Sequence, residues 1–275
     1  MDLKKRTLGE LWEEKYGPIE IEIDLLVKAL TPKQLQKDIA EFESLLDDGA
    51  DERVVHDFLA NHSYFFNRII CLNGWSPLYS KIRLGSQFEI DFACFESGSH
   101  GPEWCLIEIE RPGQPLFTKS GNPSAKLTHA IQQVRDWHQW IHENLDYVRK
   151  LLPHIEYPLG FVFMGRRSDL TPTTQKKLKR INYEHRLSLE VHSLDWFAST
   201  ARGVANLVKR KGGGDWLLPM KALTHKDLSK GLPPLVQKYM DSYSVDLMDH
   251  YHNKQLEERE MKGRDVRELD DEEIE

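Results

Sequence analysis

The sequence predicts a mixed α/β fold, a β-sheet with helices on both faces, and three observations carry that expectation. Apolar and polar side chains alternate with the two-residue period of half-buried strands through residues 78–84, 87–95 and 104–110. Leu127, Ala130, Ile131, Val134, Trp137 and Ile141 recur at helical spacing. Residues 159–164 form a short apolar run of the kind found inside a sheet.

Residues 1–50 read as a helical, peripheral extension. Within it Thr31 is an N-cap before Pro32, and a helix over 33–46 ends at Asp47-Asp48-Gly49. A second helix over 52–61 carries Val55, Phe58 and Leu59 on one face. Three strands follow, separated by a turn at Gly85-Ser86 and a loop over 97–102, with Pro112 closing the third. A loop rich in Gly and Pro leads into a long helix over 124–150. After the apolar strand, Thr171 caps a helix that Pro172 opens and that runs to His185; 187–191 is a strand and 193–208 a helix. Helix, three-strand meander, helix, strand, helix, strand, helix places helices on both sides of one sheet. The domain expectation is an extension over 1–50, a core over 51–208 and an appendage over 209–275. The appendage holds a helix near 235–252 and a mobile acidic tail.

Composition narrows the class. About 40% of the 275 residues are hydrophobic, enough for a sizeable core. No apolar run approaches the roughly 20 residues of a membrane helix. The stretch 1–6 is polar, with no apolar segment behind it, so a secretory leader is not expected. Cys71, Cys94 and Cys105 are scattered and odd in number, which speaks against a disulfide framework or a zinc site and for a reducing cytoplasm. The formal net charge is −7, yet residues 256–275 alone hold ten acidic and four basic side chains. The cations elsewhere cluster at Arg166-Arg167, at Lys176-Lys177-Leu178-Lys179-Arg180 and at Lys209-Arg210-Lys211. A local basic face is compatible with the acidic total.

The chemistry-bearing stretch is Phe88-Glu89-Ile90-Asp91-Phe92 followed by Leu106-Ile107-Glu108-Ile109-Glu110. Alternation puts Glu89 and Asp91 on one face of their strand and Glu108 and Glu110 on one face of theirs. A hairpin pairing Asp91 with Glu108 also pairs Glu89 with Glu110 and gathers four carboxylates. Opposed like charges destabilise a sheet by up to roughly 1 kcal/mol per pair. A hard dication between the oxygens, Mg²⁺ or Mn²⁺, relieves this. It also supplies hydroxide near neutral pH and stabilises charge on a phosphoryl group. The alternative is a solvent-facing sheet side whose carboxylates are paired by Lys and Arg.

Together Ile90-Asp91-Phe92, Ile107-Glu108-Ile109-Glu110-Arg111-Pro112, and Ala130-Ile131-Gln132-Gln133-Val134-Arg135-Asp136-Trp137 resemble the Shedu anti-phage defence nucleases. So do Gly160-Phe161-Val162-Phe163-Met164-Gly165-Arg166-Arg167, Ser193-Leu194-Asp195-Trp196-Phe197 and the intervening helix with Asn182 near its end. The resemblance covers about residues 52–210. The C-terminal domain of that family belongs to the PD-(D/E)xK superfamily, so it implies a restriction-endonuclease-like mixed sheet and metal-dependent cleavage of phosphodiester bonds, most simply in DNA. By that resemblance Asp91 looks like the acid of the "PD" element, with Ile90 in place of proline, and Glu108 like the (D/E); both would bind the metal. Glu110 stands where the motif has lysine, as in superfamily members that carry Glu-x-Glu, and would position or deprotonate water or hold a second metal. Lys119 and Lys126 are candidates to bring a lysine from elsewhere. Gln133, with Trp137 four residues on, resembles a Gln-x-x-x-Tyr element that orients metal-bound groups or substrate.

Arg111, Lys119, Lys126, Arg166, Arg167 and Lys177 are the candidate nucleic-acid contacts, and binding through them weakens with salt. The resemblance also implies a homo-oligomer, with the N-terminal helices or the 235–252 helix as the contact. A non-cleaving binder of the same fold, an RNA-directed nuclease and a glycoside hydrolase built on paired carboxylates are the rival readings.

Overall fold

The computed structural model describes residues 27–70, 77–98, 101–210, 216–219 and 221–231. The helix expected at 235–252, the acidic tail, Cys71 and the Gly212–Gly214 stretch lie outside the described residues. In chain order the elements are β1 (Val27–Leu30), α1 (Pro32–Asp47), α2 (Glu52–Ala60), β2 (Tyr79–Leu84), β3 (Phe88–Gly98) and β4 (Gly101–Ile109). They continue with α3 (Ala125–Glu143), β5 (Leu159–Phe163), α4 (Pro172–His185), β6 (Leu189–His192), α5 (Asp195–Arg210), β7 (Trp216–Pro219) and β8 (Leu223–Thr224). Short helical turns cover Ser63–Phe66, Asn67–Ile70 and Leu145–Val148.

The described residues form a six-stranded sheet in the order β6-β5-β4-β3-β2-β8 and a separate β1-β7 pair. The meander β2-β3-β4 is antiparallel, whereas β4, β5 and β6 run parallel and β8 joins β2 in parallel. This is the mixed sheet flanked by helices that the sequence predicts. Paired residues share a face, so the ladders sort the side chains. Phe92, Ile107 and Phe161 point to one side; Asp91, Glu108, Val162 and Gly160 point to the other.

The first face is closed by aromatics. Phe42 of α1 meets Phe58, Phe65 and Phe197, Phe66 meets Phe92, and Phe163 lies 4.3 Å from Phe197 of α5. The helix expected to be peripheral, α1, is thus part of the core: Leu35, Ile39, Phe42 and Leu46 are buried against α5. Its apolar stripe was legible; what the stripe covers was a tertiary matter. The second face is closed by α3, whose Leu127, Ala130, Val134, Trp137 and Ile141 are buried. Gly160 lets that helix close on β5, since a Cβ there would stand 2.3 Å from Val134 Cγ1.

The caps read from sequence are present. Thr31 Oγ1 accepts from Gln34 N at 3.1 Å, and Thr171 Oγ1 from Thr174 N at 3.2 Å. The helix expected over 124–150 stops at Glu143, because the Asn144 side chain donates to Trp140 O and closes it. At the β6 edge, the Asn182 amide of α4 bonds both backbone groups of Val191 at 2.9 Å, which covers part of an otherwise open strand edge. No helix among the described residues is long and apolar enough to cross a membrane.

Candidate active site

The predicted β3–β4 register holds as far as the Phe92–Ile107 pair. Phe92 pairs with Ile107, which sets Asp91 opposite Glu108 one step further along the strands. There the ladder ends, because the Asp91 side chain takes the next backbone donor: Oδ2 accepts from Ile109 N at 2.8 Å. The Glu110 N–H faces the other way and donates to Phe163 O at 2.8 Å. Asp91, Glu108 and Glu110 are 6%, 8% and 4% exposed, unusually buried for carboxylates.

Glu89 does not join them as expected. It pairs across β2 with Arg83 and lies 3.6 Å from Lys81 Nζ, at the rim. With the β3–β4 ladder ended at Phe92, nothing holds Glu89 against Glu110. The fourth carboxylate is instead Glu52, in the first turn of α2. Burial pushes its pKa up, and Asp91 and Glu110 push it further, so it stands within their field.

Two lysines offset part of the charge of the four acids. Lys81 Nζ is 2.6 Å from Asp91 Oδ1, and Lys126 Nζ is 3.4 Å from Glu110 Oε2. The Glu108 backbone belongs to the β4–β5 ladder, but among the described residues its carboxylate has no hydrogen bond or ion pair. Burial first, then Asp91, Glu110 and Glu52, drive its pKa far above the carboxylate range, with Lys81 opposing only in part. Burial alone would lower the Lys81 ammonium; Asp91, Glu89 and Glu52 reverse that and hold its pKa above the usual value.

Among the described residues no three acidic, imidazole or thiol side chains already converge as a metal cage. The donor set nevertheless suits an ion that keeps much of its own water. Asp91 and Glu108 present two facing carboxylates, Glu108 lacks a cationic or N–H partner, and the neighbourhood is anionic. Mg²⁺ and Mn²⁺ bind through one or two carboxylates plus waters and substrate oxygens.

The other predicted residues distribute unevenly. Lys126 reaches the cluster. Gln133 is half-buried on α3, two turns after Lys126 and so on the same helix face. Arg111 pairs with Asp51 just ahead of α2. Lys177 donates to Gly121 O and so ties the loop carrying the exposed Lys119 to α4, where Lys176 and Lys179 are also exposed. Arg166 is held by Asp47 at 2.7 Å and Asp195 at 3.1 Å, bridging α1 to α5, while the Arg167 backbone N–H donates to Asp195. Arg166 therefore has an architectural occupation.

Lys81 and Glu52 were not foreseen. The β2–β3 turn takes three residues, 85–87, where two were expected, and Leu84 pairs with Phe88. That extra residue shifts the register by one and brings Lys81 opposite Asp91. Working out the register for a three-residue turn would have found Lys81. Glu52 left no local signal beyond being acidic in a first turn; only the packing of α2 brings it near.

The family described as "Shedu protein SduA, C-terminal" matches residues 49–195, a stretch that takes in Glu52, Lys81, Asp91, Glu108, Glu110 and Lys126. No curated protein matches the chain. Among solved structures the restriction endonuclease FokI is similar, at 13% identity and a TM-score of 0.32, over 65% of this chain and 33% of that one. This chain therefore spans about a third of the length of that structure. Because the family match takes in more than half of the 275 residues, the chain belongs to the Shedu protein SduA C-terminal family.

Proposed function

We propose that this chain is a divalent-metal-dependent nuclease that hydrolyses phosphodiester bonds in DNA as part of anti-phage defence. The observation that carries the proposal is Glu108: a buried carboxylate among three others, without a partner of its own, directly across from Asp91. Leaving a charge uncompensated in that position costs stability. A bound cation makes the arrangement intelligible. Asp91 and Glu108 are the residues that would hold Mg²⁺ or Mn²⁺, and a dication there polarises phosphoryl oxygens and acidifies water.

The chain's own groups supply the rest. Glu110, held by Lys126, is the acceptor for a proton from the attacking water. Gln133, on the Lys126 face of α3, orients groups at the cluster. Lys119, Lys176 and Lys179, exposed on the loop and the helix that Lys177 ties together, are suited to contact a phosphate backbone, as are Arg111, paired with Asp51 ahead of α2, and Arg167 at the α5 start. Family membership supports the defence role and, with it, self-association, which analytical ultracentrifugation tests.

The deciding experiment is cleavage of supercoiled plasmid with Mg²⁺, Mn²⁺ or EDTA by wild type, Asp91→Ala and Glu108→Ala. Cutting that needs metal and is absent from both variants supports the proposal. Salt-sensitive DNA binding without cutting by any metal favours the second reading, a non-cleaving binder. That reading draws on Glu110, which occupies the motif's lysine position and consumes Lys126 in an ion pair.

A further inference from the structure

Lys81 stands out in the backbone. Its φ is 53°, in the left-handed region, in the middle of β2. On either side the strand pairs regularly, Ser80 with Phe92 and Ile82 with Ile90, so the distortion is confined to one residue. A non-glycine residue there is strained, and such strain persists where the surrounding structure imposes it, commonly at functional sites. Nothing in the packing of β2 requires a lysine: its neighbours Ile82 and Leu84 are fully buried, whereas the Lys81 side chain is 44% exposed. What the twist achieves is aim. It sets Nζ 2.6 Å from Asp91 Oδ1 and 3.6 Å from Glu89 Oε1, at the mouth of the acidic cluster.

The other lysines are placed differently. Lys126 is paired with Glu110, and Lys119 lies exposed in a loop that Lys177 secures. Lys81 alone among these contacts Asp91, and Asp91 Oδ1, the oxygen it occupies, is the one not taken by Ile109 N. A cation binding Asp91 through that oxygen meets the ammonium already there. A long, half-exposed lysine can yield the oxygen and turn its charge outward, toward an arriving phosphate.

We propose that Lys81 is the phosphate-facing ammonium of this site: it shares Asp91 Oδ1 with the metal ion and, displaced from it, binds the phosphodiester that Asp91 and Glu108 present to the metal. This rests on the nuclease reading above and deepens it. Lys81 then fills, from a neighbouring strand, the lysine role that Glu110 cannot fill. No bond to Lys81 is made or broken; it contributes a positive charge and hydrogen-bond donors.

The test measures two quantities on the full chain, Mn²⁺ affinity by calorimetry and plasmid cleavage at saturating Mn²⁺, for wild type, Lys81→Met and Lys81→Arg. Removing a competing cation next to a ligand oxygen is expected to tighten Mn²⁺ binding in Lys81→Met by about fivefold. Removing a donor to the transition-state phosphate is expected to slow its cleavage about a hundredfold. Lys81→Arg should recover most of the cleavage. The two readouts moving in opposite directions is the signature, because damage to the geometry of Asp91 weakens both. Lys81→Gly, which accommodates the left-handed backbone without strain, should behave as Lys81→Met and guards against misfolding. Binding and cleavage falling together, or neither changing, overturns the proposal. Wild type that binds Mn²⁺ but cuts neither DNA nor RNA overturns the nuclease reading and the phosphate role with it. In that case unchanged Mn²⁺ affinity in Lys81→Met removes the sharing of Asp91 as well.

Discussion

Lys126 Nζ stands 3.4 Å from Glu110 Oε2, so the first turn of α3 supplies the counter-charge for the second carboxylate of Glu108-Ile109-Glu110. The lysine is half-exposed, which limits what the pair contributes to stability to about 0–1 kcal/mol. Its effect on the site should be larger. Lys126→Ala is expected to leave the melting temperature nearly unchanged and to slow metal-dependent cleavage by roughly tenfold or more, as Glu110 loses the charge that holds it. Cleavage at the wild-type rate would show that Glu110 acts without Lys126.

Glu108 should be a site where function opposes stability. Its pKa is raised in the folded chain, so the folded state holds a proton that the unfolded chain releases at lower pH. The stabilisation is complete below the unfolded value near 4.5 and is lost as pH rises toward the folded value, with a slope of up to about 1.4 kcal/mol per pH unit. Metal-free protein should therefore melt at falling temperatures between about pH 5 and pH 8, and Mn²⁺ should restore more stability at the higher pH. Glu108→Gln should melt higher than metal-free wild type at pH 8 and lose the Mn²⁺-dependent rise. A wild-type melting temperature that climbs across this range would contradict the assignment.

Arg166 offers a choice between architecture and phosphate contact. Held by Asp47 and Asp195, it joins the end of α1 to the start of α5. Arg166→Ala should destabilise by roughly 1.5–3 kcal/mol, the range for hydrogen bonds to charged groups, while leaving the salt dependence of DNA binding alone. Lys176→Ala and Lys179→Ala should each lower the slope of log K against log salt by about 1. A slope change in Arg166→Ala would return it to the phosphate contacts.

Gly160→Ala forces a methyl against Val134, where the Cβ would lie 2.3 Å from Cγ1. Overpacking of this kind costs about 1–3 kcal/mol. Val134→Ala alone leaves a cavity, whereas the double variant should recover part of both losses, a coupling readable in a double-mutant cycle by denaturant unfolding. Simple additivity would mean that α3 does not close on β5 at this point.

Period and punctuation made much of the fold legible. The two-residue alternation through β2, β3 and β4, the helical stripe of α3 and the caps at Thr31 and Thr171 are local properties, and each appears close to where the sequence places it. The Asp91–Glu108 relationship was legible for the same reason, because the β3–β4 register puts the two acids across from each other. Less legible were elements whose partners are distant in sequence: β1 with β7, and β8 with β2. These strands are two to four residues long, too short to carry a period.

By itself, then, the sequence determined five of the six strands of the sheet, its covering helices and the two facing acids, because hydrophobic periodicity and strand alternation act between near neighbours in the chain. The tertiary structure decided which charges surround those acids. One extra residue in the β2–β3 turn puts Lys81 on Asp91, the packing of α2 brings Glu52 into the cluster, and α1 becomes core because Phe42 finds Phe197. Each depends on loop length or on long-range packing, and neither is written in the periodicity of any single segment.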